Sequence, residues 1–112
     1  MSKTLPPQLL EHVAERFRML SDPTRLRIIQ LLLDQGEMNV GDVVMRLGLS
    51  QANVSKHLRQ LLDAGIVTRQ SEGTSAYYSV QDTTVMQLCD LVCDRLREQK
   101  LEEVRAFSSL GI

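Results

Sequence analysis

Cysteine and histidine are scarce in this chain, and long apolar runs are missing. No uninterrupted apolar stretch approaches the ~18 residues that a membrane-spanning helix needs, so no membrane segment is expected. The polar start Met1-Ser2-Lys3-Thr4 lacks the apolar region of a signal peptide, and a cytoplasmic location is expected. Cys89 and Cys93 are the only cysteines, and a reducing cytosol makes a structural disulfide between them unexpected. His12 and His57 are the only histidines, far apart and outside any His-Glu-x-x-His arrangement. There is no Gly-rich phosphate loop and no nucleophile-base signature, so no enzyme is expected. A net charge of −1 excludes a generally basic nucleic-acid coat, although binding requires only a basic face.

What is present is an ordinary small soluble composition: 112 residues, 43% hydrophobic and 24% charged, enough for one domain spanning 1–112. After Met1 to Leu5, Pro6-Pro7 is tolerable only before or within the first turn of a helix. That first helix, about 7–20, carries Leu9, Leu10, Val13, Phe17 and Leu20 at 3-4 spacing, a stripe that must be buried against something. Ser21-Asp22-Pro23 is a restart signal, with Ser21 or Asp22 as cap and Pro23 in the first helical turn. In the second helix Leu26, Ile29, Leu32 and Leu33, with Ile28 and Leu31 beside them, leave few polar sides, as in a central helix ended by Gly36. Further on, 66–70 and 76–80 are β-rich runs joined through 71–75, a hairpin. A fifth helix, about 83–107 and opened by Asp82 or Thr83, places Val85, Leu88, Cys89, Val92, Cys93 and Leu96 on one stripe. Leu91 and Met86 widen that stripe beyond what a small core can cover, so the first and fifth helices are expected to form a homodimer interface.

The segment Gly48 to Leu62 organises the rest. Val40, Val43, Val44 and Leu47 form a short apolar-periodic helix closed by Gly48, and Ser50 stands where its hydroxyl caps the next helix. Helix, tight turn and helix in so few residues is a helix-turn-helix, and the hairpin that follows is a wing. At about 100° per residue, Val54, Leu58 and Leu61 share the buried face, with Gln51, His57 and Leu62 on its flanks. Ala52, Ser55, Lys56 and Arg59 lie opposite, with Asn53 and Gln60 at one edge. Short polar side chains near the N-terminus, followed by cations a turn later, suit base edges and then phosphates. Between Arg46 and Arg69 the charges are Arg46, Lys56, Arg59 and Arg69 against Asp63 alone, so positive charge is concentrated on this segment. An ordinary amphipathic surface helix would share the same apolar periodicity, which reports only the buried face.

From Leu20 to Val80 the sequence resembles the ArsR/SmtB family of winged-helix regulators. The resemblance is carried by Leu20-Ser21-Asp22-Pro23-Thr24-Arg25-Leu26-Arg27-Ile28, by Leu47-Gly48-Leu49-Ser50-Gln51-Ala52-Asn53-Val54-Ser55-Lys56-His57-Leu58 and by Leu62-Asp63-Ala64-Gly65-Ile66-Val67. It implies a mainly α winged helix-turn-helix fold in the order of four helices, two strands and a fifth helix. It also implies a dimeric sequence-specific repressor that binds an inverted-repeat operator in double-stranded DNA and is released by an effector. By position the family's DNA contacts fall on Gln51, Ala52, Ser55, Lys56 and His57. The full expected DNA face is then Gln51, Ala52, Asn53, Ser55, Lys56, His57, Arg59 and Arg69.

The chain departs from the family's metal sensors. Where these often carry Cys-Val-Cys, residues 39–41 read Asn-Val-Gly. The positions of the fifth-helix zinc site are Asp82, Thr84, Arg95 and Glu98, and two carboxylates with a cation are poor ligands for a metal that prefers nitrogen or sulfur. No metal is therefore assigned. The wing tip Glu72-Gly73-Thr74 has an acid and no following cation, which leaves Arg69 as the wing's contributor.

Cys89 and Cys93 stand one helical turn apart, about 5–6 Å between Cβ atoms, a geometry able to chelate a soft metal or metalloid. They supply only two ligands, and a third would come from a partner chain or from His12. Packing as small hydrophobes explains the same positions. A thiol effector site at these two residues and simple packing both stay open. From a different class, a winged-helix protein-interaction module without DNA binding is the alternative, and outward Lys56 and Arg59 favour DNA.

Overall fold

The structure, a computed structural model, describes residues 4–109, so the polar start at residues 1–3 and the last residues 110–112 lie outside the described residues. The elements are α1 (Pro7–Leu20), α2 (Pro23–Gln35), α3 (Val40–Leu47), α4 (Gln51–Asp63), β1 (Val67–Glu72), β2 (Ser75–Val80) and α5 (Thr83–Ser109). This is the expected order. Two compact units are present, Met1–Gln81 and Asp82–Ile112.

Local chemistry sets the helix ends of the first unit. Pro6 is extended and precedes α1, with Pro7 in its first turn. The Asp22 carboxylate accepts the Arg25 backbone N–H at 2.9 Å, which caps α2 and holds the Asp22 carboxyl below its ordinary range. Gly36 closes α2 at φ 94, a conformation that suits a residue without a Cβ. α2 is central: Ile28, Ile29 and Leu32 are fully buried. Leu26 is exposed, so the buried stripe sits nearer Ile28 than expected. The reason is that α2 is apolar on most sides, and periodicity could not choose among them. Val43, Val54, Leu58, Leu61, Ile66 and Val67 complete the core with Met19 and Met38. Leu58 is fully buried, and cutting such a side chain to alanine costs about 2–5 kcal/mol.

The wing is tighter than the sequence suggests. β1 and β2 pair antiparallel from Val67↔Val80 to Glu72↔Ser75, leaving Gly73 and Thr74 as the turn, with Gly73 at φ 63. Extending the ladder to the tip satisfies backbone groups that a five-residue loop would leave to water. Met38 adds a third backbone partner, exchanging hydrogen bonds with Tyr78 at 3.0 and 2.8 Å and anchoring the segment before α3 to the hairpin.

In the second unit the Asp82 carboxylate accepts the Thr84 backbone N–H at 3.0 Å at the start of α5. Arg95–Glu98 and Lys100–Glu103 pairs, at 3.2 and 3.4 Å, decorate its surface. Leu91, Val92, Leu96, Leu101 and Val104 are exposed on α5, as are Leu9, Leu10 and Phe17 on α1.

Candidate nucleic-acid interface

The helix-turn-helix is built from three caps and two turns. The Asn39 side chain accepts the Asp42 N–H at 2.8 Å to start α3. Gly48, in the left-handed conformation at φ 67, ends α3 by donating to the Val44 carbonyl at 2.9 Å. Ser50 Oγ accepts the Asn53 N–H at 3.1 Å and starts α4. At the far end Gly65, at φ 75, reverses the chain, and Ile66 N–H donates to the Leu61 carbonyl at 3.0 Å.

This frame divides α4 into two faces. Val54, Leu58 and Leu61 are fully buried, while Gln51, Ala52, Ser55, Lys56 and Arg59 are exposed and Asn53 is half-buried. Arg59 meets Asp63 at 3.4 Å, an exposed i,i+4 pair that holds its guanidinium only weakly. Arg69 is exposed on β1 and donates to Ser71 Oγ at 3.3 Å. Seven of the eight expected DNA-face residues thus carry wholly or partly accessible side chains.

His57 is the correction. It is 6% exposed, and its Nδ1 is buried without a hydrogen-bond partner. Its side chain joins the core side of α4, which withdraws it from the outward face to which the family positions assigned it. Burial pushes its pKa down, and the nearby Asp22 carboxylate opposes that shift.

Three arginines that the sequence did not single out hold the C-terminal ends of the two helices of the motif. Arg27 Nη2 donates to the Leu47 carbonyl at 3.3 Å, at the end of α3. Arg25 Nη1 donates to Gln60 Oε1 at 3.0 Å, and Arg16 Nη2 to the Ala64 carbonyl at 3.1 Å, both toward the end of α4. A cation near a helix C-terminus is favoured by the exposed carbonyls there. These contacts span 20, 35 and 48 residues of sequence, so no local spacing could have revealed them.

The metal positions of the family's sensors hold other chemistry. Asn39 is a helix cap, the Asp82 carboxylate serves the start of α5, and Arg95 faces Glu98 at 3.2 Å. These residues do not fit zinc. Among the described residues no group of three or more His, Cys, Asp or Glu side chains is placed to hold a metal ion. Cys89 is half-buried and Cys93 exposed. Burial pushes the Cys89 thiol up, with Asp90 and Cys93 adding to the shift.

Residues 22–69 match the profile of the bacterial regulatory protein, arsR family. The chain is 40% identical over 82 residues to an HTH-type transcriptional regulator of Methanocaldococcus jannaschii, covering 73% of this chain and 92% of that one. The chain belongs to the ArsR family. It is also 35% identical over 78 residues to the arsenical resistance operon repressor of Bacillus subtilis, covering 70% of this chain and 74% of the relative. The solution structure of a homodimeric winged helix-turn-helix DNA-binding domain from Mycobacterium bovis superposes with a TM-score of 0.73 at 31% identity, covering 88% of this chain and 92% of that one. As an ArsR-family member with this fold, the chain is a winged helix-turn-helix transcriptional regulator. No helix among the described residues is long and apolar enough to cross a membrane.

Proposed function

We propose that the protein is a cytoplasmic, dimeric repressor that binds an inverted-repeat operator through α4, releases it in response to an effector, and acts by binding rather than catalysis. The observation that carries this is the split of α4, with Val54, Leu58 and Leu61 fully buried and Gln51, Ser55, Lys56 and Arg59 exposed on the other side. Gln51, Ala52, Asn53 and Ser55 meet base edges, and Lys56, Arg59 and Arg69 meet phosphates. The exposed apolar side chains of α1 and α5 supply the dimer surface, since they would otherwise leave large apolar area in water. Two-fold symmetry then sets the half-sites about one helical turn apart. Outward Lys56 and Arg59 disfavour the alternative of a protein-interaction module, which has no use for cations at this spacing.

The test is selection of bound duplexes from a random pool, followed by fluorescence anisotropy. The wild type enriches an inverted repeat, and Lys56→Ala/Arg59→Ala loses affinity and flattens the salt dependence of what remains. Equal operator affinity of wild type and double variant would remove α4 as the DNA helix. A monomer at micromolar concentration in sedimentation would remove the dimer.

A further inference from the structure

A cleft of about 440 Å³ opens between α1, the start of α2 and the end of α4, within the first compact unit. Its volume lies within the ~300–1,000 Å³ of small-molecule sites. Arg16, Arg18 and Arg25 line it, with buried Met19 as an apolar wall and Gln60 and Asp63 on the α4 side.

The three guanidinium groups are not equivalent. Arg18 is already matched by Glu15, its Nε donating to Oε2 at 2.9 Å. Arg16 holds the Ala64 carbonyl. Arg25 directs Nε to the Met19 carbonyl at 2.8 Å, Nη1 to Gln60 Oε1 at 3.0 Å and Nη2 to the Arg18 carbonyl at 3.3 Å. All three acceptors are neutral oxygens, so no carboxylate sits on its fork, although Glu15 in the cleft lining and Asp22 lie close enough to share its field. A carboxylate is the better partner, because charge-assisted bonds are roughly twice as strong as neutral ones and the fork matches two oxygens. Gln60 Oε1, the one side-chain acceptor of the three and so the one free to swing away, is the one it would displace. Asp63 pairs with Arg59 on its other side, and its charge in the cleft wall disfavours a multiply charged anion.

We infer that this cleft is an effector site for a small monocarboxylate, whose binding to Arg25 displaces Gln60 and thereby unties the recognition helix. The inference rests on α4 being the DNA-binding helix. Asp63 is placed to accept from a hydroxyl or amino group on the ligand, which favours hydroxy or amino acids over simple fatty acids.

Sodium lactate is the probe, with chloride holding ionic strength constant and phosphate as a second anion. Nitrogen-15 NMR of the DNA-free protein is expected to show saturable lactate shifts at Arg25, the Gln60 side chain and Ala64. Anisotropy is expected to show operator affinity falling about tenfold at saturation, within the usual range of allosteric coupling. Arg25→Gln is expected to lose the shifts. Gln60→Ala is expected to keep the shifts at Arg25 and Ala64 while its operator affinity, already lowered, ignores lactate. Absence of saturable shifts in the wild type, or phosphate binding as tightly as lactate, would overturn the assignment. A full operator response to lactate in Gln60→Ala would overturn the untying. A wild type that binds no duplex at all defeats the DNA function, and the NMR arm still decides the cleft.

Discussion

His57 offers a direct test of how the core of the DNA-binding unit is built. Replacing it with leucine removes an imidazole that is 6% exposed and whose Nδ1 is buried without a partner. An unsatisfied buried polar atom costs about 1–3 kcal/mol, and a side chain of similar size without polar atoms avoids that cost. At pH 8, His57→Leu is therefore expected to gain about 1 kcal/mol, after allowance for imperfect shape. The second expectation concerns pH. Burial depresses the folded-state pKa of His57 below its ordinary value of 6.5. As pH falls through 6.5 the unfolded chain takes up a proton that the folded chain resists, so the wild type loses stability until the lower folded pKa is reached. The steepest slope from one such group is about 1.4 kcal/mol per pH unit. Asp22 and the Gln60 side chain, which hydrogen-bonds the ring, soften this loss by favouring the protonated form, whereas Arg25 and Lys56 reinforce it. Urea unfolding at pH 8, 7, 6 and 5.5, at one fixed protein concentration because dimerisation contributes to apparent stability, measures both effects. His57→Leu should be more stable at pH 8 and flatter between pH 7 and 5.5. Parallel pH profiles, or a variant less stable than wild type at pH 8, would refute the account. Operator affinity at pH 8 should stay within about twofold, a change under 0.5 kcal/mol. A larger loss would return His57 to the DNA face.

Ser50→Ala removes the side-chain cap from Asn53 N–H and should cost about 1 kcal/mol in urea unfolding, with Ser50→Asp retaining most of it. Because that end of α4 carries the residues proposed to face bases, Ser50→Ala should also weaken operator binding; unchanged affinity would count against that placement. In alkylation by iodoacetamide at pH 8, read by peptide mass spectrometry on protein diluted to the monomer, since the proposed dimer seam would cover this stripe, Cys93 should react before Cys89. Cys93 is exposed, whereas burial, Asp90 and Cys93 itself raise the Cys89 thiol. Equal rates would show that Cys89 is more open than its half-buried position implies.

The fold was legible wherever one residue type performs one local task. Asp22 and Ser50 cap, and Gly36 and Gly48 take positive φ, so these helix ends could be placed from sequence. The hairpin was visible too, but its turn shrank from 71–75 to Gly73 and Thr74, because ladder bonds outweigh the turn preference of Ser71 and Ser75. Met38 pairing with Tyr78 could not be seen, since backbone hydrogen bonds across 40 positions leave no mark on side-chain pattern. The outward face of α4 followed from periodicity, which put His57 on the buried flank; it was the family positions that sent His57 outward, and Gln51, also placed on the flank, is exposed. An imidazole at the flank of an apolar stripe is polar by composition but goes inside when its ring fills volume beside Val54, Leu58 and Leu61.

Existence and direction of the recognition helix thus have different origins. The Ser50 cap and the buried Val54-Leu58-Leu61 stripe make α4 a helix, and these are local in sequence. Its attitude depends on longer ties, Arg25 to Gln60 and Arg16 to Ala64, donated from α2 and α1. A net hydrogen bond of this kind contributes about 1 kcal/mol, against several for the buried leucines. Losing one tie leaves α4 folded and packed but freer to tilt. A tenfold change in operator affinity corresponds to about 1.4 kcal/mol, the scale of one such tie. Regulation in this fold therefore need not melt any element. It has only to compete for a guanidinium, and Arg25, whose three acceptors are neutral oxygens, is the group for which a competing carboxylate has the advantage.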